Sequence, residues 1–261
     1  MYHKRCLKFL FLLVTINFFF GCLNTKGQMK NEFKALFSSD TMITETLNLN
    51  YQLLNSGSLE KRPLIIFLHG AGERGSDNEK QLFMGVSDII ENSKLLGEDP
   101  ILLVPQCPIG YQWVEVNWGD SSHTQPKEIS RPLQIVMNLV DSLIQDLPID
   151  LNRIYITGLS MGGFGTWDYV VRKPDLFAAA IPICGGADES TLKKIANVPL
   201  WVFHGSLDNI VLPIRSRNAV NELKKNGSNV LYTEYPDASH NCWTRTYKNK
   251  SVYEWLFKQR R

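Results

Sequence analysis

The residues best suited to bond-breaking chemistry lie in Gly158-Leu159-Ser160-Met161-Gly162-Gly163. A short apolar β-type run, Ile154 to Thr157, leads into this segment, and a helix-compatible stretch follows it. A serine between such a strand and helix sits in a strained turn, where side chains at the flanking glycine positions would collide with neighbouring backbone. Ser160 is thereby pushed into a cleft. The helix it opens turns its N-terminal amides and positive dipole end toward charge that develops during attack. A hydroxyl is a weak nucleophile at neutral pH, so this chemistry requires a general base, normally a histidine oriented by a carboxylate.

Where a nucleophile turn of this kind tops a sheet, the acid and then the histidine follow it in the chain. Downstream of Ser160 the apolar run Leu200 to Phe203 leads into His204-Gly205-Ser206-Leu207-Asp208, which places Asp208 on a loop beyond a strand end. His240 follows the next strand, in Asp237-Ala238-Ser239-His240-Asn241. Of the five histidines, His3 is at the extreme N-terminus, His69 and His204 close strands just before glycine, and His123 precedes the serine in a polar loop. His240 alone has the required order, and His69 and His204 read as loop-organising hydrogen bonders. Asp188 and Asp237 compete with Asp208. Asp237, however, is only three residues from His240, and Asp188 follows the preceding strand.

The oxyanion of a tetrahedral intermediate needs at least two backbone donors. Met161, directly after the nucleophile, supplies one. The second is expected from Ala71 in His69-Gly70-Ala71-Gly72-Glu73-Arg74-Gly75, a glycine-rich turn after the strand Leu64 to Leu68. A phosphate cradle would need a Gly-Lys-Ser/Thr ending that this turn lacks.

The elements that must position these groups are legible as alternating runs. Leu47 to Leu54, Leu64 to Leu68, Ile101 to Val104, Ile154 to Thr157, Ala178 to Ile183, Leu200 to Phe203 and Val230 to Tyr235 read as strands. Helical patterns cover Arg131 to Leu147, where Leu133, Val136, Val140, Leu143 and Leu147 recur at spacings of three and four, the stretch after Ser160, Pro213 to Lys225, and Ser251 to Gln259. Such alternation predicts a mostly parallel central sheet with helices on both faces.

The 261 residues fit one domain with a full core, and a formal charge of +2 gives no footing for a nucleic-acid partner. The N-terminus pairs His3-Lys4-Arg5 with an apolar run from Phe9 to Phe20, too short for an ordinary spanning helix, which predicts a signal peptide over residues 1–21. The run ends in Phe19-Phe20-Gly21-Cys22, which resembles a bacterial lipobox and implies acylation of Cys22 and a membrane-anchored, exported protein. Phe19 departs from the usual leucine. Residues 22–40 read as a polar tether and 41–261 as the catalytic domain. Cys107, Cys184 and Cys242 are an odd set in an oxidising compartment: one disulfide of unassigned pairing, or three buried thiols. No metal-ligand spacing emerges from them.

Taken in order, His69 to Gly75, Val104-Pro105-Gln106-Cys107-Pro108, Asn152 to Gly163 and the Asp208 and His240 loops resemble the α/β-hydrolase fold. The resemblance is to the esterase branch that contains family-one carbohydrate esterases, such as feruloyl and acetylxylan esterases, and polyhydroxybutyrate depolymerase-like proteins. It implies Ser160 as acylated nucleophile, His240 as base then acid, Asp208 as its orienter, Met161 and Ala71 amides as oxyanion hole, and neither metal nor organic cofactor. The same core is similar to the catalytic domain of prolyl-oligopeptidase-like peptidases, which keeps a serine peptidase open. A catalytically inactive binding protein on this scaffold is the other alternative.

Only Gly185 to Pro199 separates the strand before the acid from the next, so no large cap domain is expected and the cleft should be open. An open cleft on an exported enzyme suits acyl groups presented on plant or algal polysaccharide. The loop 108–127 carries Tyr111, Trp113 and Trp118, and Trp243 follows His240 closely; such rings stack on a sugar or a phenolic acyl group, or else pack the loop onto the domain. Arg74 and Gln106 are further substrate-binding candidates, with loop bracing as the competing role.

Overall fold

The computed structural model describes residues 32–261, apart from 56 and 58. The expected signal peptide, Cys22 and much of the tether lie outside the described residues. The described residues divide between Phe37 and Ser38 into two compact units. In the first, the rings of Phe33 and Phe37 meet edge to face at 5.6 Å. The second carries the sheet and the candidate site.

Eight strands form one sheet: β1 (Phe37–Met42), β2 (Leu49–Leu54), β3 (Arg62–Leu68), β4 (Ile101–Pro105), β5 (Ile149–Leu159), β6 (Ala179–Ile183), β7 (Trp201–Gly205) and β8 (Leu231–Tyr235). Their order is β1-β2-β4-β3-β5-β6-β7-β8. β2 runs antiparallel to β4, and every pairing from β4 through β8 is parallel. This is an α/β-hydrolase sheet, with seven strands near their predicted places. The eighth, β1, begins inside the stretch expected as tether. Its Ser38, Ser39 and Asp40 are exposed, so an edge strand with a polar face gives no apolar alternation to read.

The helices of the second unit are α1 (Val86–Leu95), α2 (Arg131–Asp146), α3 (Met161–Arg172), α4 (Ile214–Lys225), α5 (Trp243–Tyr247) and α6 (Lys250–Leu256). Right-handed crossovers put α1, which links β3 leftward to β4, on one face, and α2, α3 and α4, which link strands rightward, on the other. Consistent with this, α1 packs against α6 and α2 against α3. Ser130 caps α2 by accepting from the Leu133 amide, and Leu133, Val136, Val140 and Leu143 form its buried stripe. Leu147 falls just outside, in extended conformation, because the following Pro148 disfavours helical geometry there. Between β6 and β7 the chain makes only a short 3-10 turn, Glu189–Ile195, and no cap. No helix among the described residues is long and apolar enough to cross a membrane.

The sheet's centre is defined by how closely backbone passes backbone at the end of β5. Ser160 takes φ 53° and ψ −119°, and its N–H donates to Ile183 O at 2.9 Å. A Cβ on Gly162 would lie 1.9 Å from Leu68 O, and one on Gly158 would lie 2.3 Å from Gly162 O. Neither obstacle is a side-chain tip that can swing aside, so the strands themselves would have to part. Gly162→Ala is therefore expected to cost about 3 kcal/mol or more, or to abolish soluble folding. Gly72→Ala, where a Cβ meets nothing within 4 Å, should unfold within about 1 kcal/mol of wild type in urea titration.

Candidate active site

Three loops at the carboxyl ends of β5, β7 and β8 converge on one hydrogen-bonded chain. Ser160 Oγ lies 2.8 Å from His240 Nε2, and His240 Nδ1 lies 2.7 Å from Asp208 Oδ2. A carboxylate can only accept, so His240 Nδ1 carries the proton and donates to Asp208. Nε2 is then left with a lone pair for the serine O–H. Ser160 and Asp208 are nearly covered, whereas the His240 side chain keeps 19% of its surface. The competing acids are elsewhere. Asp237 is exposed and pairs with Arg245, while Asp188 accepts from the Gln125 amide and from the amide and hydroxyl of Ser190.

Asp208 is held by more than His240. Its Oδ1 accepts from the Ile210 and Val211 amides at 2.9 and 3.0 Å, and His204 Nε2 approaches Oδ2 at 3.2 Å. Burial alone would raise its pKa, but hydrogen bonds from His204, His240 and the Ile210 amide outweigh it and hold the carboxyl well below the usual carboxylate range. His204 is fully buried, with Nδ1 on Ser216 Oγ at 2.7 Å and Nε2 also 2.9 Å from Val211 O. Its place four residues before Asp208 was visible in the sequence, where it reads as a loop organiser; its direct approach to the acid was not.

Met161 opens α3 immediately after Ser160. Ala71 opens a 3-10 turn, Ala71–Glu73, and the preceding Gly70 lies so close to the elbow that a Cβ there would meet Leu159 Cδ1 at 2.7 Å. The two expected oxyanion donors thus belong to segments packed against each other. His69 underpins this turn: its Nε2 accepts from the Cys107 amide at 2.9 Å and its Nδ1 donates to Gly70 O at 2.6 Å.

The substrate-binding expectations divide. Trp113 is fully buried, donates Nε1–H to His69 O at 3.0 Å, and packs on Gly165, where a Cβ would meet its own Cβ at 2.7 Å. It is a core residue, because the helix beside it offers a glycine-sized recess. Gln106 is also withdrawn from any substrate. It donates to Glu73 O and Asp77 Oδ1 and accepts from the Asn78 amide, which uses its amide fully as a loop brace. Trp118 and Trp243 are half-buried, and each has a buried indole N–H without a partner. Trp243 stands perpendicular to His240 at 5.2 Å. Arg74 donates to Ala71 O and Tyr111 O, with its guanidinium 5.9 Å from the Trp118 ring centre.

The loop 108–127 is a fixed wall. Gln125 donates to Asp188 and Asp168, Arg172 to Pro126 O, and the buried Arg215 to Asp120 O. Arg215 also bonds His123 Nδ1 and lies 4.9 Å from the Phe164 ring centre. Sequence reasoning passed over Arg215 because one basic residue at the start of an amphipathic helix looks like solvated surface. It also left open the environment of Cys184 and Cys242. Both are buried beside the site, and ligand-type atoms of Cys184, Asp208 and His240 lie within 4.8 Å of one another.

Burial holds His69 and His123 down to about 4, in His123 with help from the Arg215 charge. Both rings are neutral in the fold and protonate near 6.5 once unfolded. Stability from this source is complete above about pH 6.5 and is lost as pH falls toward 4. Urea titrations at pH 7 and 4.5 should show that loss, and His69→Gln should show a smaller pH dependence than wild type.

With the geometry in place, three relatives define the neighbourhood. Poly(3-hydroxyalkanoate) depolymerase C of Paucimonas lemoignei is 31% identical over 137 residues, covering 50% of this chain and 30% of the depolymerase. A bifunctional acetylxylan esterase/xylanase of Neocallimastix patriciarum is 24% identical, over 56% of this chain and 21% of its own. The chain therefore spans less than a third of the length of these two curated relatives. The crystal structure of a thermostable esterase superposes with a TM-score of 0.79 at 37% identity, covering 87% of this chain and 64% of that one. A Phospholipase/Carboxylesterase family model matches residues 49–256, and the chain belongs to that family of α/β-hydrolases.

Proposed function

We propose that the protein is an exported serine esterase that removes acyl groups, of feruloyl or acetyl type, from polysaccharide or oligosaccharide. The observation that carries the chemistry is the continuous chain of 2.8 and 2.7 Å contacts from Ser160 through His240 to Asp208. In this reading His240 Nε2 takes the hydroxyl proton as Ser160 Oγ attacks the ester carbonyl carbon. The resulting oxyanion is stabilised by the Met161 and Ala71 amides. Collapse expels the alcohol, which His240 protonates, and leaves Ser160 acylated. Water then gives a proton to His240 as it attacks the acyl carbon, and the acid departs when the proton returns to Ser160. Asp208 keeps His240 in the tautomer that can accept at Nε2.

Several features support a polymer-borne ester. Between β6 and β7 no inserted domain stands over the loops that carry Ser160, Asp208 and His240. Trp118 and Trp243 offer half-buried indole rings, suited to stacking on a sugar or phenolic ring. The loop of Asp208 also exposes Leu207, Ile210 and Leu212, an apolar rim on which an acyl group can rest. Export and anchoring through Cys22 are part of the same proposal and rest on the N-terminal sequence pattern.

The test compares short-chain aryl acetates, methyl ferulate, acetylated xylan and a proline-containing peptide. Ester turnover should be measurable and Ser160→Ala should remove it. Asp208→Asn should lower kcat by about 10³–10⁴ with KM little changed, while Asp237→Asn stays near wild type. Peptide cleavage without ester turnover would overturn the esterase reading.

A further inference from the structure

Cys184 and Cys242 stand 58 residues apart in the chain and meet with sulfurs 2.8 Å apart, both fully buried. A disulfide bond is about 2.05 Å long, so closing it takes a movement of about 0.8 Å from the separation observed. Each residue is fixed by its surroundings. Cys184 directly follows β6 in a left-handed conformation, φ 47°, with its N–H on Phe203 O at 2.9 Å. Cys242 immediately precedes α5, where its carbonyl accepts from the Thr246 amide and hydroxyl at 3.1 and 3.0 Å. The carbonyl of His240 lies between them, accepting from the Cys242 amide at 2.9 Å and the Cys184 thiol at 3.1 Å.

We propose that Cys184 and Cys242 form a disulfide that ties the His240 loop to the end of β6, positioning the base between Ser160 and Asp208. The inference rests on the reading of His240 as the base. The elbow leaves β5, whose neighbour β6 receives the Ser160 N–H at Ile183 O, one residue before Cys184. A bond from Cys184 to Cys242 therefore links the nucleophile's support covalently to a point two residues beyond the base. Cys107 is the remaining thiol of the domain, with its Sγ directed at Pro108 O at 3.8 Å.

The oxidant is a low-molecular-weight disulfide such as oxidised glutathione. One cysteine thiolate attacks it, forming a mixed disulfide and expelling one glutathione thiolate. The second cysteine thiolate attacks the protein sulfur of that mixed disulfide, forming the Cys184–Cys242 bond and expelling the other. Two electrons pass to the oxidant, and the two thiol protons end on the two glutathione molecules released. Burial pushes the folded Cys184 thiol well above its ordinary range, with Cys242 adding to the shift. The thiolate is accordingly available while the chain folds, before the two sulfurs are buried against each other.

The full chain is refolded with a glutathione redox buffer or with dithiothreitol, alkylated in denaturant, and mapped by proteolysis and mass spectrometry. The oxidised product should contain a Cys184–Cys242 cross-linked peptide, two hydrogens lighter than the pair of thiols, with Cys107 alkylated. Relative to it, the reduced form should unfold roughly 5–10 °C lower and show roughly tenfold lower kcat on an aryl acetate at nearly constant KM. The Cys184→Ala/Cys242→Ala double variant should make these differences vanish, and Cys242→Ala alone serves if the double variant is insoluble. Recovery of both cysteines alkylated after oxidative refolding would overturn the proposal, as would a cross-link that changes neither the thermal midpoint nor kcat. Mass and midpoint are read without turnover, so inactivity of both forms counts against the esterase reading and leaves the disulfide to be judged on those two.

Discussion

Everything at the site depends on one close approach, that of the Gly162 backbone to the carbonyl of Leu68. β3 and the first turn of α3 come together where even a methyl group has no room, and this sets the height at which β5 delivers Ser160. The serine's positive φ is the geometric result: a strand ending in ordinary extended conformation would carry its hydroxyl sideways into the sheet. The same contact brings Gly70 against Leu159, so the loop with Ala71 is drawn to the nucleophile by the packing that creates the elbow. Nucleophile and expected oxyanion donor are thus consequences of a single steric fit.

The acid is organised by saturation. Asp208 has two amide donors on one oxygen and two histidines facing the other, so its lone pairs are spoken for and its ionised form is favoured despite burial. A carboxylate satisfied in this way has no reason to take the proton of His240. In the proposed mechanism it stays an orienting charge, and proton movement is confined to the Ser160–His240 end. His204 completes this shell, anchored in turn by Ser216 at the start of α4. The packing of α4 against the sheet therefore reaches the acid through one imidazole.

Much of the fold was legible because buried parallel strands are continuous apolar runs, and the elbow, Asp208 and His240 were legible because chain order is part of their chemistry. What escaped the sequence did so for physical reasons. β1 is an edge with an exposed polar face, and α1 buries Asn92 and Ser93 along with Val86, Ile89 and Ile90, which blurs its stripe. Trp113 and Gln106 show a different limit. Residue type reveals what a side chain can do, but direction decides whether it does so toward substrate or toward Gly165 and the Asp77 loop. Arg215 was invisible for the converse reason, since its burial is created by Gly186 and the loop 108–127, neither of which is near it in the chain.

The sheet order places the histidine of the site on an edge. β8, the strand that leads to His240, is an outer strand that pairs with β7 on one side. Asp208 and His240 therefore meet across a single strand pairing, Trp201 to Gly205 against Leu231 to Tyr235. A slip of one residue in that register would carry the His240 loop about 3.3 Å along the sheet, more than the 2.7 Å contact with Asp208 can follow.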